Sequence, residues 1–247
     1  MPIVIEMRLK ASWTVQPDTR QLHGLACALF EGVGAEHLGS EKPFTVWPLR
    51  QASPDGGYDW DFRAAWLAGS LPPATALIAE QLRYGHVACA VVESRHRSVS
   101  FAQIAAGGQA RAVRVKLASP AYFAQNGARV VVPDPRLIAG SWRRRWNGSL
   151  PDGDPLQVSD ETWRETHRAL SLAEFDLRTE PRDSGYGRDQ AGMVGWLILR
   201  MNGKAPPSAA RVLGTLSRFA EFCGTGAQTT HGFGATTVAM LPGTPDV

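Results

Sequence analysis

The apolar residues of this 247-residue chain switch their spacing between two and about 3.6 residues in the same order twice, and that repetition constrains the fold more than any single motif. Ile3, Ile5, Met7 and Leu9 alternate with polar neighbours, as a half-buried strand requires. After the turn signal Gln16-Pro17-Asp18, Thr19 can cap a helix carrying Leu22, Leu25, Ala26 and Leu29, which Gly32 and Gly34 stop. Residues 35–42 read as a loop, and 44–49 and 58–67 as extended segments around Pro54-Asp55-Gly56-Gly57. A second helix is expected after Pro72-Pro73, carrying Ala76, Leu77, Ala79 and Leu82, followed by a strand over 86–92. The resulting order β-α-β-β-α-β is the split βαβ pattern.

The second half repeats the theme. Residues 113–117 and 130–132 are strand-like, 135–146 are helical with Leu137, Ile138 and Trp142 on one side, and 159–170 form another amphipathic segment. Strands are expected over 172–178 and 193–201. Pro206-Pro207-Ser208 then opens a helix with Val212, Leu216, Phe219 and Cys223 on one face, and 235–241 closes as a strand. These readings predict an α+β fold of tandem ferredoxin-like (RRM-like) βαββαβ domains, over residues 1–105 and 106–247, joined near residues 95–112.

Composition narrows the function classes. A hydrophobic fraction of 44% with 20% charged residues suits a soluble globular chain. No apolar run reaches the roughly 18 residues of a membrane span, and the N-terminus opens as a strand rather than a signal sequence, so a cytoplasmic protein with no membrane partner is expected. Cys27, Cys89 and Cys223 form no C-x-x-C pair, and the six histidines show no H-E-x-x-H spacing. Neither a metal nor a cofactor is expected. No G-x-S-x-G elbow is present. Formal net charge is only +3, but 22 of the 26 basic residues are Arg. Arg suits RNA phosphates and base stacking, and a GC-rich genome produces the same bias, so that signal stays open.

The segment from Gly224 to Gly234 is the most informative. It lacks a Walker loop, and Thr229 stands where G-x-G-x-x-G needs its last glycine. It also runs from helix to strand, the reverse of a phosphate-binding βα turn. Two readings remain: a turn with a glycine C-cap, or a loop whose glycines bring backbone amides close to a nucleic-acid phosphate, with Arg218 and His231 nearby.

The run from Phe219 through Cys223-Gly224-Thr225-Gly226-Ala227-Gln228-Thr229-Thr230-His231 to Gly234 resembles the C-terminal glycine-rich loop of the CRISPR repeat-processing endoribonucleases of the RAMP superfamily. Residues 117–123, 133–138 and Arg145-Trp146-Asn147 resemble the middle of that family, and 192–196 the strand before its last helix. Leu22-His23-Gly24-Leu25, His37 and Lys42-Pro43-Phe44-Thr45 resemble its catalytic region. The resemblance implies tandem ferredoxin-like domains and metal-independent cleavage of CRISPR repeat RNA. In that reaction the ribose 2′-hydroxyl attacks the adjacent phosphate, leaving a 2′,3′-cyclic phosphate and a 5′-hydroxyl.

By position, His37 matches the family's catalytic histidine and Lys42 a basic residue that stabilises transition-state charge. Some relatives add a tyrosine on the first helix; here that region offers Cys27, and His23, one helical turn earlier, is the candidate substitute. The candidate RNA-binding set is Gly224, Gly226, Gln228, Thr229, His231, Gly232 and Gly234 of the loop, Arg143 and Arg144 from Trp142-Arg143-Arg144-Arg145-Trp146, and Arg114 and Lys116 on one strand face. Trp142 and Trp146, at i and i+4, fit either stacked bases or a core face. Arg95-His96-Arg97 is a further basic spot. Expected partners are CRISPR repeat RNA, the mature crRNA and subunits of a CRISPR effector complex. The alternative reading is a RAMP-type RNA-binding subunit without cleavage, in which His37 is incidental.

Overall fold

The computed structural model describes residues 1–13, 15–31, 42–52, 57–183 and 189–242. The first half runs β1 (Ile3–Ala11), α1 (Thr19–Glu31), β2 (Phe44–Val46), β3 (Arg50–Gln51), β4 (Asp59–Trp66), a 3-10 turn (Ala74–Ala76), β5 (Gln81–Tyr84), β6 (Val87–Ser98) and α2 (Phe101–Ala106). The second half runs β7 (Ala112–Ala121), β8 (Phe123–Gln125), β9 (Ala128–Val130), α3 (Pro135–Gly148), α4 (Asp160–Ala169), β10 (Leu170–Asp183), β11 (Asp189–Met201), α5 (Pro207–Cys223), a 3-10 turn (Thr229–His231) and β12 (Thr236–Leu241).

Two antiparallel sheets organise these elements into an α+β fold, with orders β2-β4-β1-β6-β5 and β10-β11-β7-β12. In each, the first strand lies between the strands that follow it third and last in the βαββαβ order. The alternation read from β1 has a direct structural cause: Ile3, Ile5, Met7 and Leu9 pack with Leu22, Leu25, Ala26 and Leu29 of α1 in one core. Val4, on the opposite face, joins Trp47, Ala65 and Leu67 in the core of the second half. The two halves therefore share apolar contacts. Phe101 and Ile104 of α2, a short helix that periodicity alone did not reveal, also enter that second core. The capping box of Ser100 and Gln103 starts α2.

The helix expected after Pro72-Pro73 does not form. Only the 3-10 turn follows, and Gln81–Tyr84 is a strand. Leu82 and Tyr84 are buried while Gln81 and Arg83 are exposed, a period of two that outweighs the loose helical spacing. Gly85, at φ +60°, and His86 close a two-residue hairpin that pairs Tyr84 with Val87. The Tyr84 hydroxyl is further held by the Asp18 backbone, accepting from its N–H at 2.6 Å and donating to its carbonyl at 2.8 Å. Ile78, central to the expected helix, is 74% exposed.

The question left open at Trp142 and Trp146 is resolved in favour of the core. Both indoles are fully buried against the second sheet, where Trp146 meets Phe219 edge to face at 5.2 Å. Each N–H is satisfied, by Thr225 Oγ1 and by the Leu156 carbonyl. Among the described residues no helix is long and apolar enough to cross a membrane, and no group of three or more His, Cys, Asp or Glu is placed to hold a metal ion.

Candidate active site

The polar face of α1 carries His23, Cys27 and Glu31 at i, i+4 and i+8. The His23 Nδ1 lies 2.9 Å from the Thr230 carbonyl, which can only accept, so Nδ1 bears the proton. In the neutral ring Nε2 is then an acceptor, and the Cys27 thiol donates to it at 3.4 Å. Burial, then the nearby Glu31 carboxylate, pushes the Cys27 thiol up to about 11, which keeps it protonated for that role. His23 also stacks on His231, with ring centroids 4.0 Å apart and planes 6° from parallel. Burial, and then repulsion from His23, lowers His231 to about 4.

That depression makes folding pH-dependent. Because the unfolded chain binds a proton near pH 6.5 that the folded site resists down to about 4, stability from His231 is present above pH 6.5 and lost as pH falls from 6.5 toward 4. The melting temperature of His231→Gln should therefore fall less than wild type's across that window. Parallel melting curves at pH 7, 6, 5 and 4.5 would show the depression to be without consequence.

Lys42 lies where the sequence reading needs it, but its ammonium is not free. Lys42 Nζ sits 2.6 Å from Glu31 Oε1, and the two side chains are 9% and 17% exposed. Glu31 was missed, although its place one turn beyond Cys27 was the available signal. Arg145 was also missed from the site. It donates to the Lys42 carbonyl at 3.1 Å and to Thr229 Oγ1, tying the start of β2 to the glycine-rich loop. At about 100° per residue around a helix, the Arg run on α3 splits three ways. Arg143 turns to α4, donating to the Val158 carbonyl and ion-pairing with Asp160 at 2.5 Å. Arg145 turns to the loop, and Arg144 is exposed between them.

These groups meet in a cleft of about 790 Å³ lined by Lys42, Arg144, Arg145, Gln228, Thr230 and His231. Gly226 and Thr229 also line it, and His23 stands behind His231. Arg114 and Lys116 are not brought here. They project from the exposed positions of β7, where Arg114 stacks on Trp196 at 4.1 Å. Arg143 is spent on α4 rather than turned to the cleft. His37 lies outside the described residues.

The loop's backbone corrects one expectation. The glycines were read as bringing amides to a phosphate, yet the amides of Gly224, Gly226 and Gly234 are already used within the protein. Gly224 donates to the Ala220 carbonyl, Thr225 to Gly234, Gly226 to Ser141 Oγ, Ala227 to Tyr122 and Gly234 to Pro120. Glycine is needed for close packing. At Gly226, with φ +85°, a Cβ would collide with the Tyr122 carbonyl oxygen, and at Gly234, with φ +62°, with that of Thr225. Gln228, Thr230 and His231 present side chains to the cleft instead.

The fold and the glycine-rich segment are similar to those of known proteins. The model of the CRISPR-associated endoribonuclease Cas6 family matches residues 115–236, which hold α3, α5 and the glycine-rich loop. A Cas6 product complex is 25% identical, covering 97% of this chain and 100% of its own, with a TM-score of 0.79. Another product complex, of a Thermus thermophilus Cas6, is 24% identical over 97% and 99% with a TM-score of 0.82. A histidine-to-alanine mutant of a Cas6 is 23% identical over 97% and 100% with a TM-score of 0.76. These last two speak for the fold alone. No curated protein matches by sequence. Over residues 115–236 the chain matches the Cas6 family of CRISPR-associated endoribonucleases, and over nearly its whole length it is similar to a solved Cas6.

Proposed function

We propose that this protein cuts CRISPR repeat RNA without a metal ion, by attack of a ribose 2′-hydroxyl on the adjacent phosphate, and releases a 2′,3′-cyclic phosphate and a 5′-hydroxyl. One observation carries this reading: the cleft that gathers Lys42, Arg144 and His231 is built from α3 and the glycine-rich loop, inside the segment that the Cas6 family model matches. One Cas6 relative of like fold was solved both as a product complex and as a substrate-mimic complex.

The reaction needs a base for the 2′-hydroxyl, an acid for the leaving oxygen and positive charge at the phosphorane. His37 takes the central proton-transfer role. His23, held in one tautomer by Thr230 and with its Nε2 accepting from the Cys27 thiol, is the candidate second group. Glu31 offsets the charge of Lys42. Arg144, exposed and without an ion pair among the described residues, is therefore the principal cation for the phosphorane, with Lys42 fixing the edge of the cleft. Gln228, Thr230 and His231 contact the RNA through side chains, Thr229, buried and bonded to Arg145, fixes the loop, and Arg114 and Lys116 line a separate stretch of the second sheet. The two strand orders support a reading as tandem ferredoxin-like domains, for which we keep the bounds 1–105 and 106–247, with α2 packed on the second core. The cut product stays bound and passes into a CRISPR effector complex.

Incubating the protein with repeat RNA in EDTA tests the reading. Cleavage should proceed with EDTA present and stop when a single 2′-deoxy nucleotide replaces the one at the scissile position. Cleavage that needs a divalent ion, or that tolerates the 2′-deoxy substitution, would overturn it.

A further inference from the structure

A second cavity, of about 360 Å³, lies between the β8–β9 hairpin, α3 and α4. Its size is at the small end of the range for ligand pockets, roughly 300–1,000 Å³. It shares Ser141, Arg144, Gly226 and Ala227 with the larger cleft, so one wall separates the two. Its far side is formed by α4, where Trp163 and His167, at i and i+4, set their rings 5.8 Å apart and 32° from parallel. The indole is held in place. Arg143 lies over it at 5.6 Å and is itself clamped by Val158 and Asp160, and Trp163 packs partly against the second core. His167 Nδ1 lies 3.2 Å from the Trp163 carbonyl and so carries the proton, leaving Nε2 as an acceptor in the neutral ring.

Two cations complete the lining. Arg136 and Arg144 are both exposed, and neither forms an ion pair among the described residues, unlike their neighbour Arg143. Gln125, from the hairpin, adds an amide able both to donate and to accept. An aromatic surface, a hydrogen-bonding imidazole and amide, and unpaired guanidinium groups at the rim are the chemistry that recognises an unstacked nucleobase whose phosphates stay outside.

We propose that this cavity receives a single unpaired nucleobase of the RNA, with Arg144 holding a phosphate on the wall between cavity and cleft and Trp163 serving as the stacking surface. The inference rests on the RNA-cutting reading above and adds a base-recognition site that the chemistry of cleavage does not require. Packed around one nucleotide, Trp163, His167 and Gln125 set the register in which the strand enters the cleft. The site thus acts on which phosphodiester is cut.

A coupling experiment tests this. Repeat RNAs carrying one abasic nucleotide at successive positions on both sides of the scissile bond are bound to wild type, Trp163→Ala and Trp163→Phe, with thermal melting of each variant as a control. In wild type one abasic position should weaken binding about tenfold, the scale of one lost base stack. Trp163→Ala should lose about the same with intact RNA and nothing further at that position, and Trp163→Phe should keep most of the affinity. Penalties that multiply at every position would overturn the proposal. If Trp163→Ala melts early, Arg136→Ala, an exposed change that leaves the core untouched, takes its place in the same cycle. Coupling to a single position supports the site, and strict additivity overturns it. A wild-type protein that cuts the repeat while no abasic position matters defeats the cavity alone. One that neither binds nor cuts it defeats the functional reading as well.

Discussion

Replacing His37 by alanine is expected to lower single-turnover cleavage of repeat RNA by a factor on the order of 10² or more, with repeat affinity changed only a few-fold. The reasoning starts from the chemistry. A 2′-hydroxyl is a poor nucleophile at neutral pH, so a positioned imidazole acts on the barrier and not on ground-state binding. RNA is held by the broader set of cations and loop side chains, which this substitution leaves in place. The imidazoles of His23 and His231 do not stand in for it. His23 is engaged by Thr230 and Cys27, and His231, lowered to about 4, carries almost no charge at neutral pH. Single-turnover kinetics with enzyme in excess, alongside an equilibrium binding curve, measures both quantities. A His37→Ala protein that cuts at the wild-type rate would remove His37 from the mechanism and give its role to the pair on α1 and the loop.

The second large effect is on folding. Gly226→Val should destabilise the protein by about 3 kcal/mol, combining roughly 1–3 kcal/mol of backbone strain at positive φ with displacement of the Tyr122 carbonyl. That displacement also breaks the hydrogen bond from the Ala227 amide to Tyr122, 2.8 Å in the intact loop. In a chain of this length the loss corresponds to a melting temperature lower by roughly 6–12 °C. A Gly226→Val protein that melts like wild type and fails only in RNA binding would contradict this and return the glycine to the RNA surface. The expectation differs from one drawn from a glycine-rich motif alone, which predicts a binding defect first.

Periodicity was enough for most of the fold because the elements concerned bury one face each. Ile3 to Leu9 in β1, the Leu22 to Leu29 stripe of α1 and the Val212 to Cys223 stripe of α5 are patterns that only a strand or a helix against a core can satisfy. It failed between Pro72 and Tyr84, where Ala76, Leu77, Ala79 and Leu82 fit a loose helical spacing but Ile78 among them is exposed. There a tight turn at Gly85 and pairing with β6 decided for a strand, and both are properties of the sheet rather than of the segment.

The site divides the same way. The kinds of residue it needs, the His23 and Lys42 regions, the α3 arginines and the glycine-rich loop, were legible in the chain itself as local motifs. Their partners were not, because a contact such as Glu31 to Lys42, between different elements, or Arg145 to Thr229, between segments far apart in sequence, depends on three-dimensional distance. Sequence alone determined an α+β chain and, through its resemblance to a family, pointed to α1, α3 and the loop after α5 for the proposed chemistry. Only the tertiary structure decided that Arg144 and Arg145 but not Arg143 line the cleft, that Lys42 is already paired, and that the amides of Gly234 and Ala227 are bonded to Pro120 and Tyr122. A helix turns each successive side chain by about 100°, and a backbone amide accepted by one carbonyl has no proton left to offer a phosphate.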